Sequence, residues 1–456
     1  MTEQIVVLGS GVIGLSLAAQ LAEDESIDRK VFVLSASKPQ NSTSSVAAAF
    51  WYPYAVNGFY SSKWATDSLD HFRQLEADPS TGVQSRKGFE YFADFSDLET
   101  ATAQPSEDPG SGDLWWRDLP GINYTELGQY NWKEHGSPIS RNNAGQAFRL
   151  PTFDVNQSPK AIASRYAERK NKGKHLQDFH LARAVSFRIP VIQMDKYLEY
   201  LRGRCENSGV IFLGEHSGLA RKRCAIGMLD RELRDAVPEI NRVSLWCNCA
   251  GADGAVYSSN QRETTLLRPI PGDVIHVRLN EPGIQLPLVF MHGTKSGKGT
   301  RQFFGTPLYV VPRVATTDEY VLGGTLVDPS SYSGWRKSAY DRYWERDENV
   351  DKIVTDLVLD RVSTLIAAFA SATPIARLRG YRPVRRHDAD VAKTGAGYRD
   401  DRGNGLSGVR VESETQSYNN QNFNVVHCYG HGGGGVTLSW GSAMYACELV
   451  RNVLNR

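Results

Sequence analysis

Apolar positions along this chain of 456 residues fall into two rhythms. Gln4–Leu8 (QIVVL) is an unbroken, β-branched run, which predicts a strand buried on both faces. Leu15–Ala22 then spaces its apolar residues as a helix does, with small residues free for close packing. Lys30–Leu34 predicts a second strand and closes a βαβ unit. Downstream, Val185–Leu201 reads as a strand leading into a helix, and Val210–Leu213 and Tyr320–Leu326 read as strands. Val350–Phe369 predicts a helix, with Val354, Leu357, Val358, Val362, Leu365 and Ile366 on one core-facing side. Phe423–His427 predicts a late strand, and a final helix is expected to start near Thr437 and run through Cys447. Stretches poor in apolar residues, Glu76–Gly82, Gln104–Asp113, Arg169–Gln177 and His387–Gly408, predict surface segments, the last a long loop.

The turn after the first strand reads Gly9-Ser10-Gly11-Val12-Ile13-Gly14. Gly9 permits a tight turn, Gly11 lets the backbone approach a pyrophosphate, and Gly14 lets the helix pack on the strand. The helix start adds unpaired N–H groups and a positive dipole end. After a strand and opening a helix, this spacing predicts a dinucleotide site. The acidic residue that usually ends the second strand is absent, because Ser35-Ala36-Ser37 follow Leu34. A serine, the backbone or water must therefore take the ribose, and Lys38 is the nearby cation. On this motif alone FAD and NAD both fit.

A second glycine cluster lies near the other end, in His427-Cys428-Tyr429-Gly430-His431-Gly432-Gly433-Gly434-Gly435-Val436-Thr437. Glycine contributes no packing and loses the most entropy on ordering, so the run is not a core element. A linker would be polar and unflanked. Between an apolar strand and an apolar helix, the run predicts a turn that brings backbone N–H groups against a flat or anionic ligand.

Composition narrows the partners. Lys+Arg number 52 and Asp+Glu 51, a net charge of +1, which argues against a broad nucleic-acid or anionic-membrane surface. Hydrophobic residues at 41% suffice for a sizeable core, and the length allows about two to four domains. No apolar run approaches the roughly 18–20 residues needed to cross a bilayer. Met1-Thr2-Glu3-Gln4 lacks a basic secretory leader, and Val453-Leu454-Asn455-Arg456 is not a peroxisomal tripeptide. The expectation is a cytoplasmic protein. Six cysteines are sparse, and Cys247 and Cys249 form C-x-C rather than C-x-x-C, so reduced thiols and no metal site are expected.

The two glycine motifs together resemble those of the D-amino-acid oxidase family, within the wider group of FAD amine oxidases that includes D-aspartate oxidase and glycine oxidase. Val425–Ala443 (VVHCYGHGGGGVTLSWGSA) is similar to the family signature, including its closing Gly441 and Ala443. Three collinear segments also look like family motifs: Val46–Tyr54 (VAAAFWYPY), Cys247–Ala252 (CNCAGA) and Gly380–Arg385 (GYRPVR). The resemblance implies an α/β fold in which a Rossmann-type FAD-binding domain interleaves with a mixed-sheet α+β substrate domain. Residues 1–75, 185–260 and 351–456 would form the FAD domain, with a surface insertion at 387–408. Residues 76–184, with insertions, and 261–350 would form the substrate domain. Pro269–Asp273 looks like a turn before a long substrate-domain strand.

The implied cofactor is FAD. Its implied contacts are Gly9, Ser10, Gly11, Val12, Ile13, Gly14, Ser35, Ser45, Ala47, Ala48, Ala49, Trp51, Val185, Cys249, Ala250, Gly251, Arg382, Gly430, His431, Gly432, Gly433, Gly434, Gly435, Val436 and Thr437. The implied reaction is oxidative deamination of a D-amino acid, with hydride passing from Cα to flavin N5. Dioxygen would reoxidise the flavin and yield hydrogen peroxide, leaving an imino or 2-oxo acid and ammonia. No strong side-chain base is needed; the site needs a cation that holds the substrate carboxylate with Cα facing the flavin. Arg382 is that candidate, since its planar fork can grip a carboxylate through two bonds. Tyr309 would donate to the same carboxylate, and Gly433 would bring backbone to the reacting centre. Phe50, Trp51, Tyr52 and Tyr54 are candidates to line the site, and Arg385 and Arg386 to hold an acidic side chain. A second, mobile tyrosine of the family falls at Gly305 here, which puts its lid in doubt. His431 in its glycine turn is expected to bond locally. Alternatives remain: an oxidase or dehydrogenase of glycine, a secondary amine or a pathway-specific amino acid, then an NAD-dependent dehydrogenase or a non-catalytic flavoprotein. A homodimer stays open.

Overall fold

The β-branched run that begins the chain sits in the middle of a sheet, where burial on both faces rewards it. A computed structural model describes residues 2–26, 28–53, 59–94, 116–127, 138–139, 148–151, 176–280, 286–293, 308–323, 348–385 and 408–455. Its strands are β1 (Glu3–Leu8), β2 (Arg29–Leu34), β3 (Val83–Asp94), β4 (Thr125–Leu127), β5 (Phe148–Pro151), β6 (Leu176–Ile192), β7 (Ile211–Phe212), β8 (Leu245–Asn248), β9 (Leu267–Arg278), β10 (Leu288–Gly293), β11 (Leu308–Pro312), β12 (Glu319–Gly323), β13 (Thr373–Arg385), β14 (Arg410–Tyr418) and β15 (Gln421–Tyr429).

Among the described residues, six strands form the first sheet, in the order β14-β15-β8-β1-β2-β7. β1 runs parallel to both β2 and β8, and β15 parallel to β8, with antiparallel β14 at the edge. Helices Val12–Glu23, Met194–Asn207 and Gly435–Leu454 contribute to the core on one face, and helix Ile226–Ala236 to the core on the other. The two glycine motifs, some 420 residues apart in sequence, thus end on neighbouring parts of one sheet.

The second sheet runs β13-β9-β12-β11-β10-β3-β6-β4, with β5 beside β6. Helix Glu348–Leu365 covers its outer face through Val358, Val362 and Leu365. Its inner face shares a core with the first sheet, since Phe187, Val191 and Val311 cluster with Ile5, Val7 and Leu15.

This pairing moves two expected boundaries. Residues 185–192 complete β6, and 373–385 form edge strand β13, so both belong to the second sheet rather than to the FAD domain. Pro269–Asp273 is not a turn. It lies within β9 in continuous register with β13, which tolerates Pro271 opposite Tyr381 and Pro269 opposite Pro383. The helix expected over 350–369 ends at Leu365, and Ala367–Ser371 tightens into a 3-10 turn. The last helix begins at Gly435, two residues before Thr437. Among the described residues, no helix is long and apolar enough to cross a membrane.

Candidate functional site

A cavity of about 870 Å³ opens at the carboxyl ends of β1, β2 and β8 and reaches the inner face of the second sheet, the position where open parallel sheets bind ligands. At its base, Gly9 holds a φ of 105° that a side-chain-bearing residue rarely adopts, and a β-carbon there would overlap the Cys249 carbonyl. A β-carbon on Gly14 would lie 2.9 Å from the Gly9 carbonyl carbon and overlap its oxygen. Gly14 thus stands behind the loop and lets the helix close on it. The helix start has neither an acidic residue nor a side-chain cap on Gly11, which leaves its positive end for an anion. Ser44 Oγ accepts from the Val12 N–H at 3.0 Å and tops the same turn. At the end of β2 three serines replace the absent carboxylate. Ser10 Oγ donates to Ser35 Oγ at 2.9 Å, and Ser35 Oγ donates to the Ser37 carbonyl at 2.8 Å.

The glycine turn at 430–435 joins the two sheets. The Gly432 N–H donates to the Pro383 carbonyl at 3.0 Å, and Val384 bridges His431. The free edge of β13 is thereby pinned to the turn, and Thr43 Oγ1 accepts from the Tyr381 N–H at 3.2 Å. Gly430, at a φ of 87°, clears the Arg385 side chain. His431 Nε2 lies 3.0 Å from Ser442 Oγ, the local bond expected for it.

Arg382 and Tyr309 meet across four adjacent strands. Arg382 leaves β13 and lies over Gly272 on β9, while Tyr309 leaves β11 and lies over Gly323 on β12. A β-carbon on either glycine would overlap the group above it. The two middle strands thus form a trough that lets the guanidinium reach the phenol oxygen. Burial pushes the Tyr309 phenol above its ordinary value of 10.0, and the bond to Arg382 only partly offsets this. The phenol keeps its proton and can donate it.

The aromatic segment is extended over residues 49–51. The Trp51 N–H donates to the Pro190 carbonyl and the Ile192 N–H to the Ala49 carbonyl, so the segment docks on the end of β6. Extended backbone alternates faces. Phe50 and Tyr52 therefore line the cavity, while Trp51 is fully buried and donates to the Ala65 carbonyl at 2.7 Å. Thr437 Oγ1 bonds both the N–H and the carbonyl of Tyr52, at 3.2 and 3.0 Å.

Of the expected contacts, Gly9, Ser10, Gly11, Val12, Ile13, Ser35, Ala47, Ala48, Ala49, Cys249, Ala250, Gly251, Tyr309, Arg382 and residues 430–437 line the cavity. Gly14, Ser45, Trp51 and Val185 do not. Ser45 Oγ bonds the carbonyls of Gln40 and Ser42, and Val185 lies in the core under β6. Arg385 also lines the cavity, where it is engaged in a two-bond pair of 2.8 Å each with buried Glu263, which also accepts from the Tyr429 hydroxyl at 2.8 Å. Tyr54, Gly305, Arg386 and the insertion at 387–407 lie outside the described residues. Ser44, Gly272 and Gly323 were missed. Ser44 adjoins the Ser45 that was named, and glycine inside a strand pattern signals a close approach of another group.

The cradle suits a flavin dinucleotide: glycines where a side chain would collide, a helix start free of acidic residues, and the Ser10 and Ser35 hydroxyls beside the end of β2. The family model described as "FAD dependent oxidoreductase" matches residues 4–449. The chain is 27% identical over 451 residues to a D-amino-acid oxidase of Rubrobacter xylanophilus, covering 99% of this chain and 96% of that one. It is 26% identical to a D-amino-acid oxidase of Streptomyces coelicolor, covering 98% and 96%. The fold is similar to that of an iminodiacetate oxidase from Chelativorans sp. BNC1, with TM-score 0.54, 14% identity and coverage of 98% and 95%. It is also similar to that of a glycine oxidase from Bacillus cereus, with TM-score 0.53, 14% identity and coverage of 98% and 97%.

Proposed function

The chain belongs to the family of FAD dependent oxidoreductases, and from that premise we propose that it oxidatively deaminates a D-amino acid. The products are an imino acid, which water converts to a 2-oxo acid and ammonia, and hydrogen peroxide formed from dioxygen. The observation that carries this is the Arg382–Tyr309 pair in one cavity with the dinucleotide cradle. The D configuration is supported by the names of the two bacterial relatives.

FAD supplies the hydride acceptor. Around it the chain's own groups bind and orient. Arg382 grips the substrate carboxylate, and Tyr309, protonated because it is buried, donates a further bond to it. Two fixed points on the carboxylate limit how Cα can turn, which is the positioning such a reaction requires. The pinned glycine turn brings the 432–434 backbone beside Arg382; a β-carbon on Gly433 would lie 3.9 Å from its Cδ. Aromatic Phe50 and Tyr52 exclude water from the same wall.

Anaerobic mixing of the flavin-loaded protein with D-amino acids, their L-enantiomers, glycine and sarcosine tests this. Bleaching of the flavin by D-amino acids is the expected result. Bleaching by glycine or sarcosine alone would overturn the D-amino-acid assignment in favour of a small or secondary amine.

A further inference from the structure

Two cysteines at the floor of the cavity have no part in that chemistry. Cys249 lies just past the end of β8, Cys428 lies near the end of β15, and both line the cavity. β8 and β15 run parallel, with Asn248 opposite His427. One step further along each segment Cys249 comes opposite Cys428, about 4.8 Å away at the backbone. The sheet still holds at that step, because the Cys249 N–H donates to the Leu8 carbonyl at 2.9 Å. Both side chains enter the same core, beneath helices Val12–Glu23 and Gly435–Leu454. A β-carbon on Gly14 would lie 3.4 Å from Cys249 Cβ, and Cys428 Sγ lies 3.9 Å from the Ser442 carbonyl. There the two thiols meet, Cys249 donating to the Cys428 sulfur.

A disulfide needs α-carbons roughly 4.4–6.8 Å apart, and the strand spacing falls in that range without either strand moving. The other cysteines, at 205, 224, 247 and 447, do not line the cavity. The two sulfurs are also unequal. The bond from Cys249 lowers the Cys428 thiol below its ordinary 9.0 against the effect of burial, and bonds to His431 and Ser442 lower it further. The same bond, with burial, raises the Cys249 thiol well above 9.0. Cys428 is therefore the sulfur poised to become a thiolate, the form that attacks an oxidant, while Cys249 keeps its proton.

We propose that Cys249 and Cys428 form a dithiol site that hydrogen peroxide converts to a disulfide. The internal source of that peroxide rests on the oxidase activity proposed above; the chemistry needs only the peroxide. The Cys428 sulfur attacks one peroxide oxygen, so that an S–O bond forms and the O–O bond breaks. The departing hydroxide takes the proton that Cys428 gave up and leaves as water, and Cys428 is left as a sulfenic acid. The Cys249 sulfur then attacks the Cys428 sulfur. An S–S bond forms, the S–O bond breaks, and the second hydroxide leaves as water with the Cys249 proton. Two electrons pass from sulfur to oxygen. The crosslink ties the segment packed under Gly9 to the strand that carries the second glycine turn.

The test treats the full chain, flavin-loaded and flavin-stripped, with a small excess of hydrogen peroxide. Free thiols are then alkylated and peptides mapped by mass with and without dithiothreitol. A reversible Cys249–Cys428 crosslink is expected, at the least in the flavin-stripped form, with two of the six thiols lost. Cys224, the one cysteine that is not buried, should stay open to alkylation. Absence of the crosslink from both forms, or oxidation confined to Cys224, overturns the site. In Cys249→Ser the sulfenic acid has no partner thiol, so dimedone should label Cys428; in Cys428→Ser, Cys249 should stay unlabelled. Labelling of Cys249 without labelling of Cys428 overturns the roles. Where a variant does not fold, the wild-type map still decides. Added peroxide requires no turnover, so failure here leaves the oxidase reading standing. A flavin that no D-amino acid bleaches removes the internal peroxide source and leaves the dithiol standing.

Discussion

Gly272→Ala isolates the trough from the rest of the fold. A β-carbon at this position would lie 2.5 Å from Arg382 Cζ and 2.6 Å from Nη2, whereas ordinary contact starts at 3.4 Å. Taking 2.5 from 3.4, the guanidinium must retreat by at least about 0.9 Å. The atoms that move are the far end of a flexible side chain, and Gly272 does not need a left-handed backbone, so thermal unfolding should hardly change. The bond to Tyr309 and the grip on the substrate carboxylate should suffer instead. A displacement near 1 Å costs on the order of 100-fold in rate, equivalent to about 2.7 kcal/mol of transition-state stabilisation. The assay is kcat/KM for the D-amino acid that bleaches the flavin fastest, beside the affinity for a simple carboxylate read from the flavin spectrum. Both should weaken with the melting temperature held. Wild-type kcat/KM in a folded Gly272→Ala protein would refute the role given to Arg382.

Three further outcomes follow from the geometry. Tyr309→Phe removes one donor to the substrate carboxylate and should lower kcat/KM by about tenfold, with flavin content unchanged; a stopped-flow reduction series checks it. Gly14→Ala drives a β-carbon into the Gly9 carbonyl, which backbone cannot easily yield, so the purified protein should carry less flavin per chain by absorbance. For Glu263, burial raises the carboxyl, but bonds from Arg385 and Tyr429 hold it below the usual 4.5. Its stabilisation is therefore full above about pH 4.5 and fades as pH falls through the lower folded value. Glu263→Gln should cost about 3 kcal/mol at neutral pH and flatten the acid side of the stability curve measured by denaturant titration.

The serine trio at the end of β2 and the arginine pairs show how far local pattern can reach. Missing acid after Leu34 was visible in the sequence, but the Ser10–Ser35–Ser37 chain that replaces it needs a turn folded back on itself. Arg382 and Arg385 are three residues apart and equally basic on paper. Only the fold sends one over Gly272 into the cavity and the other to Glu263.

What the sequence by itself determined is whatever rests on neighbours along the chain. The β1 strand, the glycine turn after it, the helix it opens and the 430–435 turn follow from residue type and spacing, because backbone freedom and apolar period act locally. Strand partnership was decided by tertiary structure. It carried 185–192 and 373–385 into the second sheet, made Pro269–Asp273 a strand, and turned Trp51 to the core while Phe50 and Tyr52 faced the cavity. The physical reason is that a strand leaves half its backbone groups and one of its faces to be satisfied by segments distant in sequence. The partners of β13, and hence the meeting of Arg382 with Tyr309, exist only once those segments have found one another.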